Sequence, residues 1–348
     1  MITLERLTFL LERFPRLTLG LVGDLFLDRY LEIPASVLEY SIETGLEAYQ
    51  VTRVRNSPGA LGTVLNNLAA LGAGTLRPVT VIGDDGHGYD LLQALATLPV
   101  DVRHIVRSPN RLTPTYTKPL RQTAAGAWQE LPRLDVRTRG PLDEAALRQV
   151  CQHLDNVLRS CDGVIVLDQI SERNQGVVHE AVRAHLAEFS RVQPDKLLFV
   201  DSRAFLDRFH FGALKGNRSE ILAAAGESAE VEGAVRKLAA RTGRPVFCTV
   251  GEAGCLVGRP GGETALVPGY RVHGPVDIVG AGDSATSGIV LSLLAGATDL
   301  EAAAVGNLVA SITVQQLGTT GTATPQQVLD RWREMYATRE PGAGAERG

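Results

Sequence analysis

Runs of apolar, mostly β-branched residues alternate along this chain with segments whose apolar positions recur at helical spacing. Leu17–Val22, Val51–Arg55 and Thr75–Ile82 read as strands. Gly62–Leu71 reads as a helix that stops at Gly72, and Gly88–Leu98 as the next one. Gly163–Leu167, Lys196–Val200 and Val246–Val250 are short, uniformly apolar strands, each following a helix-like segment. Strands apolar on both sides need cover on both faces, so the pattern predicts an α/β fold: a mainly parallel central sheet between two helical layers. Ligands of such folds sit beyond the carboxyl ends of the strands. Asp24, Asp28, Asp84, Asp85, Asp168, Asp201 and Gly251 gather there.

Two segments, Tyr30–Arg55 and Arg111–Asp135, break the alternation with strand-forming runs such as Thr115-Tyr-Thr-Lys-Pro. They read either as β-excursions forming a lid or as surface loops. Met1–Pro15 mixes Glu5, Arg6, Glu12 and Arg13 with apolar residues and reads as an amphipathic helix, not a signal peptide. A single domain is expected over 1–338. The remainder, 339–348, rich in glycine, proline and charge, is expected to be disordered.

Composition removes several alternatives. The net charge of −4 and the 5% aromatic content argue against nucleic-acid binding. No apolar run approaches a bilayer span, so a cytoplasmic protein is expected. Cys151, Cys161, Cys248 and Cys255 form no C-x-x-C pair and read as buried, reduced thiols. His179 and His185 read as solvated helix residues, and no histidine cluster has metal-ligand spacing.

Candidate chemistry concentrates in Asp277–Thr286, Asp-Ile-Val-Gly-Ala-Gly-Asp-Ser-Ala-Thr. Gly280, Ala281 and Gly282 precede an apolar helical run and would present unpaired N–H groups at a helix start, a ready anion site. Asp283 beside such a site fits a base that takes a hydroxyl proton while the amides hold a transferring phosphoryl group. A plain glycine turn with an N-capping aspartate is the simpler alternative. Gly280-x-Gly282-x-x-Ala285 also fits a dinucleotide fingerprint, but the segment after it continues as helix and Asp299 opens another one. No Walker A loop exists.

Several motifs together resemble the ribokinase/PfkB family of carbohydrate kinases, from about Leu17 to Gln327. Val276-Asp-Ile-Val-Gly-Ala-Gly-Asp-Ser matches its C-terminal signature, Asn217-Arg-Ser-Glu220 its N-x-x-E motif, Thr249-Val-Gly251-Glu-Ala-Gly254 its ATP turn, and Gly23-Asp-Leu-Phe-Leu-Asp28 its sugar motif. The resemblance implies a ribokinase-like α/β/α sandwich with a β-lid at about 30–55 and 111–135. It implies Asp283 as base, Gly280, Ala281 and Gly282 as anion hole, and Asp28 as acceptor from sugar hydroxyls. Asn217, Thr249, Gly251, Gly254 and Asn307 would bind ATP. Asn217 and Glu220 would hold Mg²⁺, largely through water, and Asp277 would shape a monovalent-cation site for K⁺. Within the family, Val22–Tyr30, Thr113–Lys118, Leu131–Asp135 and Val200–Arg203 look most like heptose-7-phosphate kinases. No H-x-G-H nucleotidyltransferase motif is present, so a bifunctional kinase–adenylyltransferase is not expected.

One departure stands out. The family's sugar turn reads Gly-Gly-x-x-x-Asn, whereas this chain has Gly59, Ala60 and Thr63. The methyl of Ala60 limits backbone approach, and Thr63 lacks an amide's paired donor and acceptor. Asn66 and Asn67 follow further along the helix. The expected activity is ATP-dependent phosphorylation of a hydroxyl on a sugar or sugar phosphate. A nucleoside or small-alcohol kinase, and a non-catalytic sugar- or nucleotide-binding regulatory protein, are the alternatives. Lys118, Arg121 or Arg133 would meet an anionic substrate group, or simply face solvent. The apolar residues of the excursions, and the lids of relatives, imply a homodimer.

Overall fold

The computed structural model describes residues 2–36, 38–226, 230–318 and 320–337; the expected tail at 339–348 lies outside them. Helix α1 (Leu4–Leu11) starts at Thr3, whose hydroxyl accepts from the Arg6 amide. Strand β1 (Thr18–Gly23) follows, and after Asp24 the chain turns directly into β2 (Leu25–Ile33). A short hairpin, β3 (Leu38–Tyr40) with β4 (Glu47–Tyr49), leads to β5 (Arg53–Ala60) and α2 (Leu61–Ala70). Then come β6 (Thr75–Gly83), α3 (Gly86–Leu95), β7 (Ile105–Ser108), β8 (Thr115–Gln122), β9 (Trp128–Glu130) and β10 (Leu134–Val136).

The second half is a more regular alternation. It runs α4 (Glu144–Ser160), β11 (Gly163–Asp168), α5 (Glu180–Val192), β12 (Leu197–Ser202), β13 (Ala213–Asn217), α6 (Arg218–Ala225), α7 (Val231–Thr242) and β14 (Val246–Thr249). Two antiparallel strands, β15 (Gly254–Gly258) and β16 (Thr264–Pro268), close the sheet. Helices α8 (Ala281–Leu294), α9 (Asp299–Thr313) and α10 (Pro325–Ala337) end the described chain.

Among the described residues the main sheet has nine strands in the order β16-β15-β14-β13-β12-β11-β1-β6-β7, with parallel pairing from β14 to β7. Its strands alternate between two cores. Leu19, Leu21, Ile165, Leu167 and Phe199 join a core made with α1, α2, α8, α9 and α10, whereas Val164, Val166, Leu198 and Val200 face α4 to α7. Each fully buried leucine, valine or phenylalanine contributes roughly 1.5–3 kcal/mol. This two-sided burial explains why the strands read as apolar runs rather than as alternating patterns.

The two segments that broke the alternation supply strands of a second sheet, ordered β10-β8-β2-β5 with β9 added on β8, and a separate two-stranded sheet, β3-β4. Residues 30–55 supply the end of β2, the β3–β4 hairpin and the start of β5, and residues 111–135 supply β8, β9 and part of β10. The strand expected at Val51–Arg55 begins at Arg53 and runs to Ala60, because β5 pairs with β2 from Glu32↔Arg53 to Leu25↔Ala60. Pro58 is tolerated there because β5 is an edge strand.

Smaller expectations are also corrected. Cys161, Cys248 and Cys255 are buried, but Cys151 is only partly so. His179 caps α5 by accepting from the Ala181 amide, and His185 lies 2.8 Å from Asp155, so neither is simply solvated. Among the described residues no helix is long and apolar enough to cross a membrane.

Candidate active site

The start of α8 is made by Gly280, which takes the left-handed conformation (φ 80°, ψ 0°) that glycine adopts without strain. Gly282, one turn position later, lies outside that region. Its lack of a side chain serves close approach: a Cβ there would meet the ammonium of Lys215 at 3.0 Å. The Ala281 amide donates to the Ile278 carbonyl at 3.2 Å, whereas the amides of Gly282 and Asp283 find no acceptor among the described residues. The open donors at this helix start are therefore Gly282 and Asp283, where the dipole favours an anion.

Asp283 sits half-buried in the first turn of α8. Burial pushes its carboxyl up to about 7; Lys215 and Arg203 oppose this and Asp201 reinforces it. The carboxylate accepts no hydrogen bond among the described residues, yet its oxygens are not sealed from solvent. It is a raised, unengaged carboxylate that still opens to the cleft.

Lys215 and Asp201 complete this end. They are register partners on the parallel strands β13 and β12, with the Lys215 ammonium 2.7 Å from the Asp201 carboxylate. Lys215 is 5% and Asp201 6% exposed. Burial works against the charge of Lys215, but the carboxylates of Asp201 and Asp283 outweigh it and hold its pKa above the usual value. Thr286 on α8 donates to the same Asp201 oxygen at 3.2 Å. The sequence reading grouped Asp201 with the strand-end carboxylates and gave Lys215 no role. The available signal was a charged residue inside the buried run Ala213-Leu-Lys-Gly.

The other expected phosphate-end residues surround this centre with structural bonds of their own. Asn217 and Glu220 form a reciprocal capping box at α6: the Asn217 Oδ1 accepts from the Glu220 amide and the Glu220 Oε2 from the Asn217 amide. Burial, with Asp201 adding to it, raises Glu220. Asn217, Thr249 and Gly251 line a shallow open groove with Arg218, Ser219, Leu222 and Val250. At Gly254 a Cβ would strike the Val267 carbonyl at 2.2 Å. Asn307 donates to the carbonyls of Val267 and Pro268 and so clamps β16. The carboxylate of Asp277 accepts from the amides of Val279 and Gly318, and its own amide donates to Val314, joining two loops beside the helix start.

The acceptor-end residues lie where β2, β5 and β8 meet. Asp28 is 8% exposed, with the Lys118 ammonium 3.4 Å away. Burial raises Asp28 and Lys118 opposes the shift. A Cβ at Gly59 would meet an Asp28 oxygen at 2.9 Å, so only glycine leaves this carboxylate its place. Ala60 caps α2 with φ 53° and ψ −115°, a left-handed backbone on a residue with a side chain. Thr63 is buried, and its methyl lies 3.6 Å from where a Cβ on Gly280 would stand, so the acceptor turn abuts the anion turn. Asn67 does not replace the missing asparagine: it is fully buried and donates to the Thr63 carbonyl. Asn66 lies beside the Pro58 carbonyl at 3.4 Å. Asp24 is occupied too, accepting from the amides of Val177 and Gln169.

The structure thus gathers two groups, one around Asp283 and one around Asp28, which adjoin where the Thr63 methyl lies near Gly280. The pattern of the pfkB family carbohydrate kinase matches residues 30–327. Among curated proteins, the bifunctional protein HldE of Desulfatibacillum aliphaticivorans is 31% identical over 312 residues, covering 86% of this chain and 60% of that protein. HldE of Trichlorobacter lovleyi is 31% identical over 330 residues, covering 92% and 64%. The chain therefore spans less than two thirds of the length of these relatives. Among solved structures, Arabidopsis thaliana ribokinase complexed with ribose and ATP superposes with a TM-score of 0.62 at 18% identity, covering 90% of this chain and 98% of that one. Escherichia coli phosphofructokinase-2 in complex with potassium gives 0.66 at 20%, covering 92% and 99%. An E. coli ribokinase-type protein in complex with ATP and Mg²⁺ gives 0.64 at 17%, covering 91% and 99%. These neighbours share the fold, a mainly parallel sheet between helical layers, and the family pattern over residues 30–327 takes in Gly59, Lys118 and Asp283: the chain is a member of the pfkB family of carbohydrate kinases.

Proposed function

We infer that this sugar kinase moves the γ-phosphoryl group of ATP onto a hydroxyl of a sugar or sugar phosphate, with Asp283 as its base. The observation that carries this is the unengaged carboxylate of Asp283, raised to about 7, beside two open amides and a buried lysine. Asp283 takes the proton of the acceptor hydroxyl, whose oxygen bonds to the γ-phosphorus as the bond to the β-phosphate oxygen breaks and ADP leaves. The amides of Gly282 and Asp283, together with Lys215, stabilise charge on the equatorial phosphoryl oxygens. Gly280 and Ala281 shape that turn. At the acceptor end Asp28 accepts from sugar hydroxyls, with Lys118 beside it and Gly59, Ala60 and Thr63 as the wall.

Asn217, Thr249, Gly251, Gly254 and Asn307 form the nucleotide side, supported by the open groove at Asn217–Gly251. Among the described residues no cluster of three or more metal-ligating side chains exists. One partly free carboxylate, Glu220, beside Asn217 fits Mg²⁺ carried on phosphates and water rather than a protein cage. When bound, Mg²⁺ would neutralise phosphate charge. The binding of K⁺ by the phosphofructokinase-2 neighbour supports reading the Asp277 loops as a monovalent-cation site.

The likeness to HldE proteins and to heptose-7-phosphate kinases makes a heptose 7-phosphate the first acceptor to try. The small sheet serves as the lid over one kinase domain. Exposed Val54 and Trp128 on this sheet, with Leu38, Tyr40, Ile42 and Tyr49 of the neighbouring β3–β4 hairpin, favour a homodimer, which light scattering across a dilution series tests. The activity itself is tested by ATP consumption with sugars, sugar phosphates and nucleosides, followed by NMR of the product. Turnover with nucleosides alone, or none with any acceptor, overturns the reading.

A further inference from the structure

Asp28, Tyr30 and Glu32 follow one another along β2 at the two-residue spacing that puts them on one face of the small sheet. Strand β5 lies on one side of β2 and β8 on the other. Tyr30 is the register partner of Arg55 on β5 and of Lys118 on β8, so two cations reach it from opposite sides. Both stand 4.8 Å from the centre of its ring. They are drawn in opposite directions along β2. The Arg55 guanidinium pairs with Glu32 at 2.7 Å, whereas the Lys118 ammonium lies 3.4 Å from Asp28. Half-buried Tyr30 thus stands between two ion pairs, one of which belongs to the acceptor end.

Tyr30 also meets Lys118 through its hydroxyl, which accepts from the ammonium at 3.3 Å. An ammonium carries three donors. Asp28 and Tyr30 engage two of them, which leaves one for the acceptor. A sugar hydroxyl that donates to Asp28 competes with the lysine for the same carboxylate. At that moment the lysine depends on its other contact, because a strongly hydrated charge on a flexible four-carbon stem otherwise returns to water.

We propose that Tyr30 is a positioning residue of the acceptor end: its hydroxyl and ring hold the Lys118 ammonium in place while Asp28 changes partner from the lysine to the sugar. This rests on the kinase reading above and extends it from the residues that touch the acceptor to the one that aims them. The rival role is structural: Tyr30 would pack between Arg55 and Lys118 only to hold β5 and β8 on β2. Its loss would then lower stability without a selective effect on acceptor binding.

The test uses Tyr30→Phe, which keeps the ring and removes the hydroxyl, and Tyr30→Leu, which removes both. With heptose 7-phosphate as acceptor, the acceptor KM should rise about 2- to 10-fold in Tyr30→Phe, the worth of one hydrogen bond. It should rise about 5- to 50-fold in Tyr30→Leu, where the ring contact is lost as well. The kcat and the KM for ATP should stay within about twofold of wild type, as expected when ground-state and transition-state binding are lost together. In a Lys118→Met background both substitutions should leave the acceptor KM where Lys118→Met alone puts it, because the contact they remove is already gone. Acetylation by acetic anhydride, read by mass spectrometry, gives a measure that needs no turnover. The chain has four lysines, Lys118, Lys196, Lys215 and Lys237, so each site is resolved. Lys118 should be modified about 2- to 10-fold faster in both variants than in wild type. An unchanged acceptor KM, acceptor effects that persist undiminished in the Lys118→Met background, or equal acetylation of Lys118 in all three proteins would overturn the proposal. Faster acetylation with no turnover on any acceptor keeps the hold on Lys118 and fails the kinase reading instead.

Discussion

The two ends of the cleft use one device in two strengths. Each sets a carboxylate and a lysine on neighbouring parallel strands: Asp201 and Lys215 on β12 and β13, Asp28 and Lys118 on β2 and β8. At the phosphate end the ions are 2.7 Å apart with side chains 8% and 6% exposed; at the acceptor end they are 3.4 Å apart and 11% and 17% exposed. The first pair lies inside a sheet covered on both faces, and the second in the small sheet outside it. A pair locked in a dry setting supplies a fixed field, which is what a transition state gaining charge requires. A longer, wetter pair leaves its lysine free to exchange partners, which suits recognition of a variable acceptor. On the proposed function, the rigid sheet would set the chemistry and the smaller one the choice of substrate.

The largest effect tests the rigid end. Asp283→Asn keeps the shape but removes the base, and turnover should fall about 10²–10⁴-fold while ATP still binds. The sign of the pH dependence follows from the raised carboxyl at about 7. Below that pH the group is protonated and accepts no proton, so kcat/KM of wild type should fall about tenfold per unit as pH drops from 7 to 5. The variant should lose this limb. Wild-type kcat in Asp283→Asn, or the same acid limb in both proteins, would take Asp283 out of the mechanism.

The next effect separates the two pairs directly. Lys215→Met leaves Asp201 buried without its partner, which should cost about 3–5 kcal/mol of stability as well as activity. Lys118→Met removes the longer, less buried pair and should cost less stability than Lys215→Met while raising the KM of the acceptor. Because the first variant is at risk of unfolding, Asp201→Asn with Lys215→Met removes both charges at once. That double variant should recover stability in urea titrations but remain inactive. An active double variant would make Lys215 a purely structural ion.

What the sequence made legible follows from how far apart the parts lie along the chain. The anion turn is contiguous, with glycines, carboxylate and apolar helix within Asp277–Thr286, and local chemistry announces it. The two-sided apolar strands announced the layered fold in the same way. Lys215 escaped notice because its meaning depends on sheet order: only the β12–β13 register puts it beside Asp201, and only the packing of α8 puts it against Gly282. The start of strand β2 reads as a sugar motif and only its end, from Tyr30, as part of a β-excursion, since a chain passing from one sheet to the next at Asp24 leaves no turn to mark the change. The reading of Gly280, Ala281 and Gly282 as equal contributors needed coordinates as well, because the Ala281 amide is already engaged by Ile278.

The smallest effect concerns the wall between the two ends. Ala60 holds φ 53° and ψ −115°, a backbone that costs an alanine about 1–3 kcal/mol. Glycine carries no such penalty but loses about 0.5–1 kcal/mol more in chain entropy on folding. The difference predicts that Ala60→Gly stabilises the protein by about 0–2 kcal/mol in thermal or urea unfolding, against the usual direction of an alanine-to-glycine change. If the strain serves to hold the wall in place, the same variant should loosen discrimination among acceptors and leave the KM for ATP unchanged. Adding Thr63→Asn should move both, because the Thr63 methyl reaches the space beside Gly280. A destabilised Ala60→Gly would show that alanine rests there without strain. An unchanged acceptor profile in the double variant would show that the turn between β5 and α2 does not touch the substrate, leaving selection to the residues around Asp28 and Lys118.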